Sequence, residues 1–69
     1  PTFDILNILF EKPVFYADLE ITDTKGKTIF SKRIENVSQE QIDLQAYSGI
    51  YFLHVRTKDS RSVIKVVKK

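Results

Sequence analysis

Ala17-Asp18-Leu19-Glu20-Ile21-Thr22 alternates apolar and polar side chains, and Asp23-Thr24-Lys25-Gly26 follows it directly. A period of two is the signature of a strand with one buried and one wet face. Asp can bond its own backbone two residues on, and Gly takes a positive φ without steric cost. The four residues after the strand therefore spell a turn. Residues 27–34 then read as the return strand of a hairpin.

The same alternation recurs outward in both directions. Leu6, Ile8 and Phe10 alternate with Ile5, Asn7 and Leu9. Tyr51, Leu53 and Val55 alternate with Phe52, His54 and Arg56. Lys58-Asp59-Ser60 forms a second turn, and residues 62–67 are rich in β-branched side chains. One stretch reads two ways. Ser38-Gln39-Glu40-Gln41 has the spacing of a helix capping box, and Leu44 with Tyr47 fits one helical turn. Ile42 with Leu44 fits a strand instead, and Gly49 stops either element. We expect a short strand through Leu44 and a turn over residues 45–49.

Six strands with turns at roughly 8–12-residue intervals predict an all-β fold, a small antiparallel β-sandwich of six to seven strands in two packed sheets. The connecting helices of a parallel sheet have no room. Residues 1–69 are expected to be a single domain. Leu6, Ile8, Leu19, Ile21, Tyr51, Leu53, Val55 and at least one of Ile64 and Val66 should form the core.

With 69 residues, 42% of them hydrophobic and 12% aromatic, the chain can build one small core. The absence of Cys excludes a disulfide framework, a thiolate zinc site and a thiol nucleophile. The longest apolar run is Ile50-Tyr51-Phe52-Leu53, far short of the about 20 residues of a membrane-spanning helix. No export signal opens the chain, and a first residue of Pro rather than Met suggests a fragment of a longer protein.

The pattern also lacks the constellations of an enzyme. His54 is the only His and points away from Leu53 and Val55. Ser31, Ser38, Ser48, Ser60 and Ser62 lie in no nucleophile elbow. Asp18 and Glu20 share the solvated face of a half-buried strand. Two glycines, Gly26 and Gly49, cannot make a phosphate-cradling loop. One His without Cys does not suit a transition metal, and a calcium loop needs several oxygen ligands close together, where Asp23-Thr24-Lys25 puts a cation in the middle. We expect no catalysis, no cofactor and no metal.

Charge is distributed unevenly. Residues 1–53 carry −3 and residues 54–69 carry +5, within a net charge of +2. Two readings fit: cations that keep an edge strand from aggregating, or a docking strip. Nucleic acid is not the expected partner, because no aromatic stands among residues 56–69 to stack on bases.

Four segments in order carry a family resemblance. They are Pro1-Thr2-Phe3-Asp4-Ile5-Leu6-Asn7-Ile8; Leu19-x-Ile21-x-Asp23-x-x-Gly26-Lys27; Ile42-Asp43-Leu44 followed by Ser48-Gly49-Ile50-Tyr51-x-Leu53-x-Val55; and Lys65-Val66-Val67-Lys68-Lys69. In this order and spacing the chain resembles the type A C-terminal sorting domains of the type IX (Por) secretion system of Bacteroidetes. The resemblance spans essentially all of it. Members usually begin with Pro-Asn-Pro, of which only Pro1 is present, and Phe3 stands where a small polar residue is common.

The resemblance implies an immunoglobulin-like sandwich that ends a larger exported protein. It implies a sorting signal for crossing the outer membrane, recognised by translocon proteins and commonly removed by a surface sortase. The cargo would pass through the periplasm to the outer membrane, cell surface or medium, without the domain inserting into a membrane. By position, Asp23 and Gly26 fall on the family's hairpin turn, Gly49 and Tyr51 on its Gly-x-Tyr motif, and residues 65–69 on its terminal segment.

The residues suggest structural roles for these positions too. Tyr51 is expected to bury its ring and bond its hydroxyl to backbone near residues 43–46. Partner recognition is expected of Lys65, Val66, Val67, Lys68 and Lys69, on a strand with at least one side unpaired and one valine on each sheet face. An alternative function is an accessory sandwich module that binds carbohydrate or a neighbouring protein, with Phe15, Tyr16, Phe30 and Phe52 as its aromatic platform.

Overall fold

A computed structural model describes residues 2–3 and 5–69, the first two by their backbone alone. Pro1 and Asp4 of the first family segment lie outside the described residues. Five strands follow in order: β1 (Thr2–Phe3), β2 (Leu6–Thr22), β3 (Thr28–Ile42), β4 (Gly49–Thr57) and β5 (Arg61–Lys68). They form one sheet in the spatial order β1-β5-β4-β2-β3. β2, β3, β4 and β5 pair antiparallel, and β1 joins β5 in parallel, Thr2 opposite Val67.

Two separate sheets were expected, and the finding is one continuous sheet. β2 explains the difference. A straight strand of its 17 residues would be roughly 56 Å long, while the longest dimension of the molecule is 31 Å. β2 must therefore bend. Leu9 pairs with Gln39 and Val14 with Val37, so five steps along β2 match two along β3 and three residues of β2 are extra. Pro13 falls in this bulge, where its missing N–H interrupts no ladder bond. On β3, just past the bulge and between the partners of Val14 and Tyr16, Asn36 has φ 53°, a left-handed conformation that Asn tolerates better than most residues.

An odd number of extra residues reverses which side chains of β2 face inward. Leu6 and Ile8 are buried before the bulge, and Ala17, Leu19 and Ile21 after it. The segments that look like separate strands in the sequence thus remain hydrogen-bonded through the bend. Their two halves stack about one core. The Ser38 to Gln41 stretch is strand, not helix, because residues 39–42 pair with residues 6–9.

The core comprises Leu6, Ile8, Ala17, Leu19, Ile21, Ile34, Ile42, Leu44, Tyr51, Leu53 and Val66. Val55, expected among them, is half-buried at its margin. Of the two candidates on the final strand, Val66 is 1% exposed and Ile64 43%.

The first hairpin turn forms as its residues dictate. The Gly26 amide donates to the Asp23 carbonyl at 3.1 Å, and the Asp23 amide to the Lys27 carbonyl at 3.0 Å. Asp23 Oδ1 accepts the amides of Lys25 and Lys27, each at 2.9 Å. Gly26 adopts φ 87° with open space around it, so the demand for Gly is conformational rather than steric. The β4–β5 turn is held by the Thr57 amide, which donates to the Ser60 carbonyl at 2.9 Å.

Candidate recognition surface

β5 carries the basic end of the chain. It pairs with β4 along its whole length, from Arg61 opposite Arg56 to Lys68 opposite Gly49. Its other side meets β1 only at Val67 and Lys68. Among the described residues, nothing pairs with that side from Arg61 to Val66, as the expectation of an unpaired edge required. Lys65 and Lys69 are exposed, and Val67 and Lys68 half-buried. Val66 points into the core while its neighbours Lys65 and Val67 share the opposite face with Phe52 and Ile50. Four of the five residues expected to meet a partner thus reach the surface, and Val66 anchors them.

Tyr51 buries its ring beside Val66, its cross-strand partner. Its hydroxyl donates to a backbone carbonyl at 2.6 Å, but that carbonyl belongs to Tyr47, not to residues 43–46. The loop between β3 and β4 turns at Gly49, φ 154°, and brings Tyr47 back over the ring position. The side chain of Tyr47 itself is 92% exposed, so its backbone rather than its ring does the anchoring. Asp23, Gly26, Gly49 and Tyr51 all therefore act locally to fix turns and corners.

The face of the sheet opposite the core carries a second basic feature. Register places Arg33, Asp18, Arg56 and Arg61 in one row across β3, β2, β4 and β5. Arg33 Nε donates to Asp18 Oδ1 at 2.7 Å and its Nη2 to Oδ2 at 3.0 Å. The Arg56 Nη2 reaches the same Oδ2 at 3.5 Å. Arg33 also lies over the Tyr16 ring, 4.7 Å from its centroid, a cation–π contact that holds its plane. The hydrogen bonds from Arg33, chiefly, and its charge hold the Asp18 carboxyl below the usual carboxylate range. The same bonds push the Arg33 guanidinium up.

This row lines an open groove of about 580 Å³ that Glu20 and His54 extend. Glu20 Oε2 accepts from the Thr28 hydroxyl at 3.0 Å. His54 Nε2 and the Thr22 hydroxyl share a hydrogen bond of 3.0 Å, so the single His is tied to a neighbouring strand. No cluster of metal-ligating side chains occurs among the described residues, and no helix is long and apolar enough to cross a membrane.

The arginine row was not expected from the sequence, though a signal for it exists. The Asp23 turn fixes the hairpin register, and that register sets Arg33 opposite Asp18. The aromatic residues of the carbohydrate reading do not form a platform. Tyr16 and Phe52 stand on the outer face, Phe30 packs against the core opposite Ile21, and Phe15 is 79% exposed at the bend.

Comparison with known proteins adds two findings. A protein-family model described as "Secretion system C-terminal sorting domain" matches residues 1–69. A search of curated proteins finds no match.

Proposed function

The chain belongs to the family of type IX (Por) secretion-system C-terminal sorting domains, and on that premise we propose that β5 and its basic end are the address by which the translocon selects a cargo joined to this domain. The observation that carries this reading is the family match over residues 1–69. A sorting domain serves a secreted cargo and interacts with the secretion machinery. The surface described here supports a specific way of doing so.

An unpaired strand edge offers main-chain donors and acceptors in a fixed row, to which an incoming strand can add. Lys65, Lys68 and Lys69 attract an acidic partner and raise the rate of encounter more than the final affinity. Val67, half-buried beside them, gives that partner a side chain to recognise. Val66 fixes the strand from inside, so the strip is presented rather than left as a loose tail. The partners in this reading are outer-membrane translocon proteins and a surface sortase. The route runs from the periplasm to the cell surface or beyond.

A secreted reporter carrying this domain tests the reading. Lys65, Lys68 and Lys69 are replaced together by Glu, leaving Val66 in place so that the core survives. The expected result is reporter retained in the periplasm with the domain still folded. Normal surface delivery of the charge-reversed fusion would refute the role assigned to the strip.

A further inference from the structure

We propose that the outer face of the sheet is a second, separate recognition site, at which Arg56 and Arg61 grip the carboxylates of an acidic peptide segment from a protein partner. The inference needs none of the cations of the 65–69 strip. It starts from an electrostatic anomaly. Arg56 and Arg61 are directly opposite each other on β4 and β5, and like charges directly opposite on a sheet repel. One acid, Asp18, stands in the row. Arg33 occupies it through two short bonds, and Arg56 reaches it only at 3.5 Å. Arg61 makes no ion pair among the described residues. The row therefore holds one more guanidinium pair than its own acid neutralises.

Geometry turns the anomaly into a site. The groove that these arginines line, about 580 Å³, is the size of a ligand pocket and much larger than one small anion fills. Arg33 is fixed by Asp18 and by the Tyr16 ring, which closes the β3 end of the row. The β5 end stays open at Arg61. Guanidinium forks match carboxylates in a two-bond geometry. The acids Asp18 and Glu20 in the same groove disfavour a compact, doubly charged anion more than single carboxylates spaced along a chain. The surroundings therefore fit an acidic peptide better than a phosphate.

The test uses the 69-residue chain and a fluorescent peptide of alternating Glu and Ser at low ionic strength. Binding is read by anisotropy. The double variant Arg56→Gln/Arg61→Gln is compared with Lys12→Gln/Lys25→Gln, which removes the same charge from exposed positions outside both the groove and the 65–69 strip. The wild type is expected to bind, the arginine variant to bind about tenfold more weakly or worse, and the lysine variant to match the wild type. Equal losses in the two variants would show diffuse attraction and overturn the proposal, as would no binding by the wild type. Displacement of the peptide by inorganic phosphate at concentrations near the peptide's own Kd would also overturn it, because the site would then be one for compact oxyanions. Single Arg61→Gln guards against misfolding: its Tm is expected to equal or exceed the wild type's, since a repulsion is relieved. A lower Tm would mean that Arg61 is satisfied within the fold, and would remove the premise.

Discussion

Lys32 and Glu40 lie eight positions apart on the same strand, yet Lys32 Nζ stands 2.6 Å from Glu40 Oε2. Along a straight strand their Cα atoms would be roughly 26 Å apart. β3 therefore folds back on itself between them, at Asn36, and the ion pair ties the turned-over end to the body of the sheet. The carboxylate side is the more enclosed, 17% exposed against 53% for the lysine. No well-directed hydrogen bond reaches this Oε2, so the ammonium charge is its main compensation.

Lys32→Ala is accordingly expected to cost about 1–2 kcal/mol, between the values for exposed and buried pairs, because an enclosed carboxylate loses its partner. Glu40→Gln should cost less, since it leaves no charge behind. Urea denaturation of both variants checks the order; equal losses would mean that the pair adds nothing to the bend.

Tyr51→Phe removes the hydroxyl that bonds the Tyr47 carbonyl while leaving the ring in the core. The expected loss is about 1 kcal/mol, with an unchanged dependence on urea concentration. An unaltered midpoint would show that the loop before β4 holds without this bond.

Acid should weaken the fold through Asp18 and Asp23. Arg33 lowers the first carboxyl, and the backbone amides of Lys27 and Lys25 lower the second. A carboxyl lowered by folding stabilises fully above its unfolded value of about 4, and that contribution is lost as pH falls through the lower folded value. Stability is therefore expected to be flat near neutrality and to fall below about pH 4. Asp23→Asn keeps an oxygen to accept the turn amides but no titrating group, so its stability should fall less steeply in acid. Denaturation midpoints across pH 2–6 measure this, and matching slopes for wild type and variant would count against it.

Val66→Ala should cost about 2 kcal/mol through two lost methyl groups and the void they leave. Removing Lys68 and Lys69 should cost well under half of that, because neither is in the core. Thermal melts of the two proteins distinguish anchor from strip. Comparable losses would mean that the terminal lysines also support the fold.

Much of this architecture is legible in the residues. Alternation from Ala17 to Thr22 and from Tyr51 to Val55 marks the strands, and Asp23 with Gly26 marks the turn, because each pattern has a local physical cause. The bend was not legible. The alternation read through Phe10 is taken up again only at Ala17, and only pairing with β3 shows that one ladder continues between them after three extra residues. Ser38 to Gln41 carries a helix-starting spacing that tertiary pairing overrides. The arginine row depends on the register of three strand pairs at once, and periodicity within any one strand does not contain it. Val66, by contrast, could be narrowed to one of two positions from sequence alone.

β1 holds two residues, and it alone joins the beginning of the described chain to β5. Its position has a mechanical consequence. Tension applied at the amino-terminal end, such as a polypeptide under traction exerts, is carried first by this short parallel tether. Among the described residues this tether is held by backbone pairing with Val67 and Lys68 alone, whereas β4 and β5 pair from Gly49 to Arg56, so the tether can shear away while the load-bearing body stays intact. Its release would also free Val67 and Lys68 and so extend the unpaired edge of β5 from Val66 to Lys68, coupling force at the first strand to access at the last.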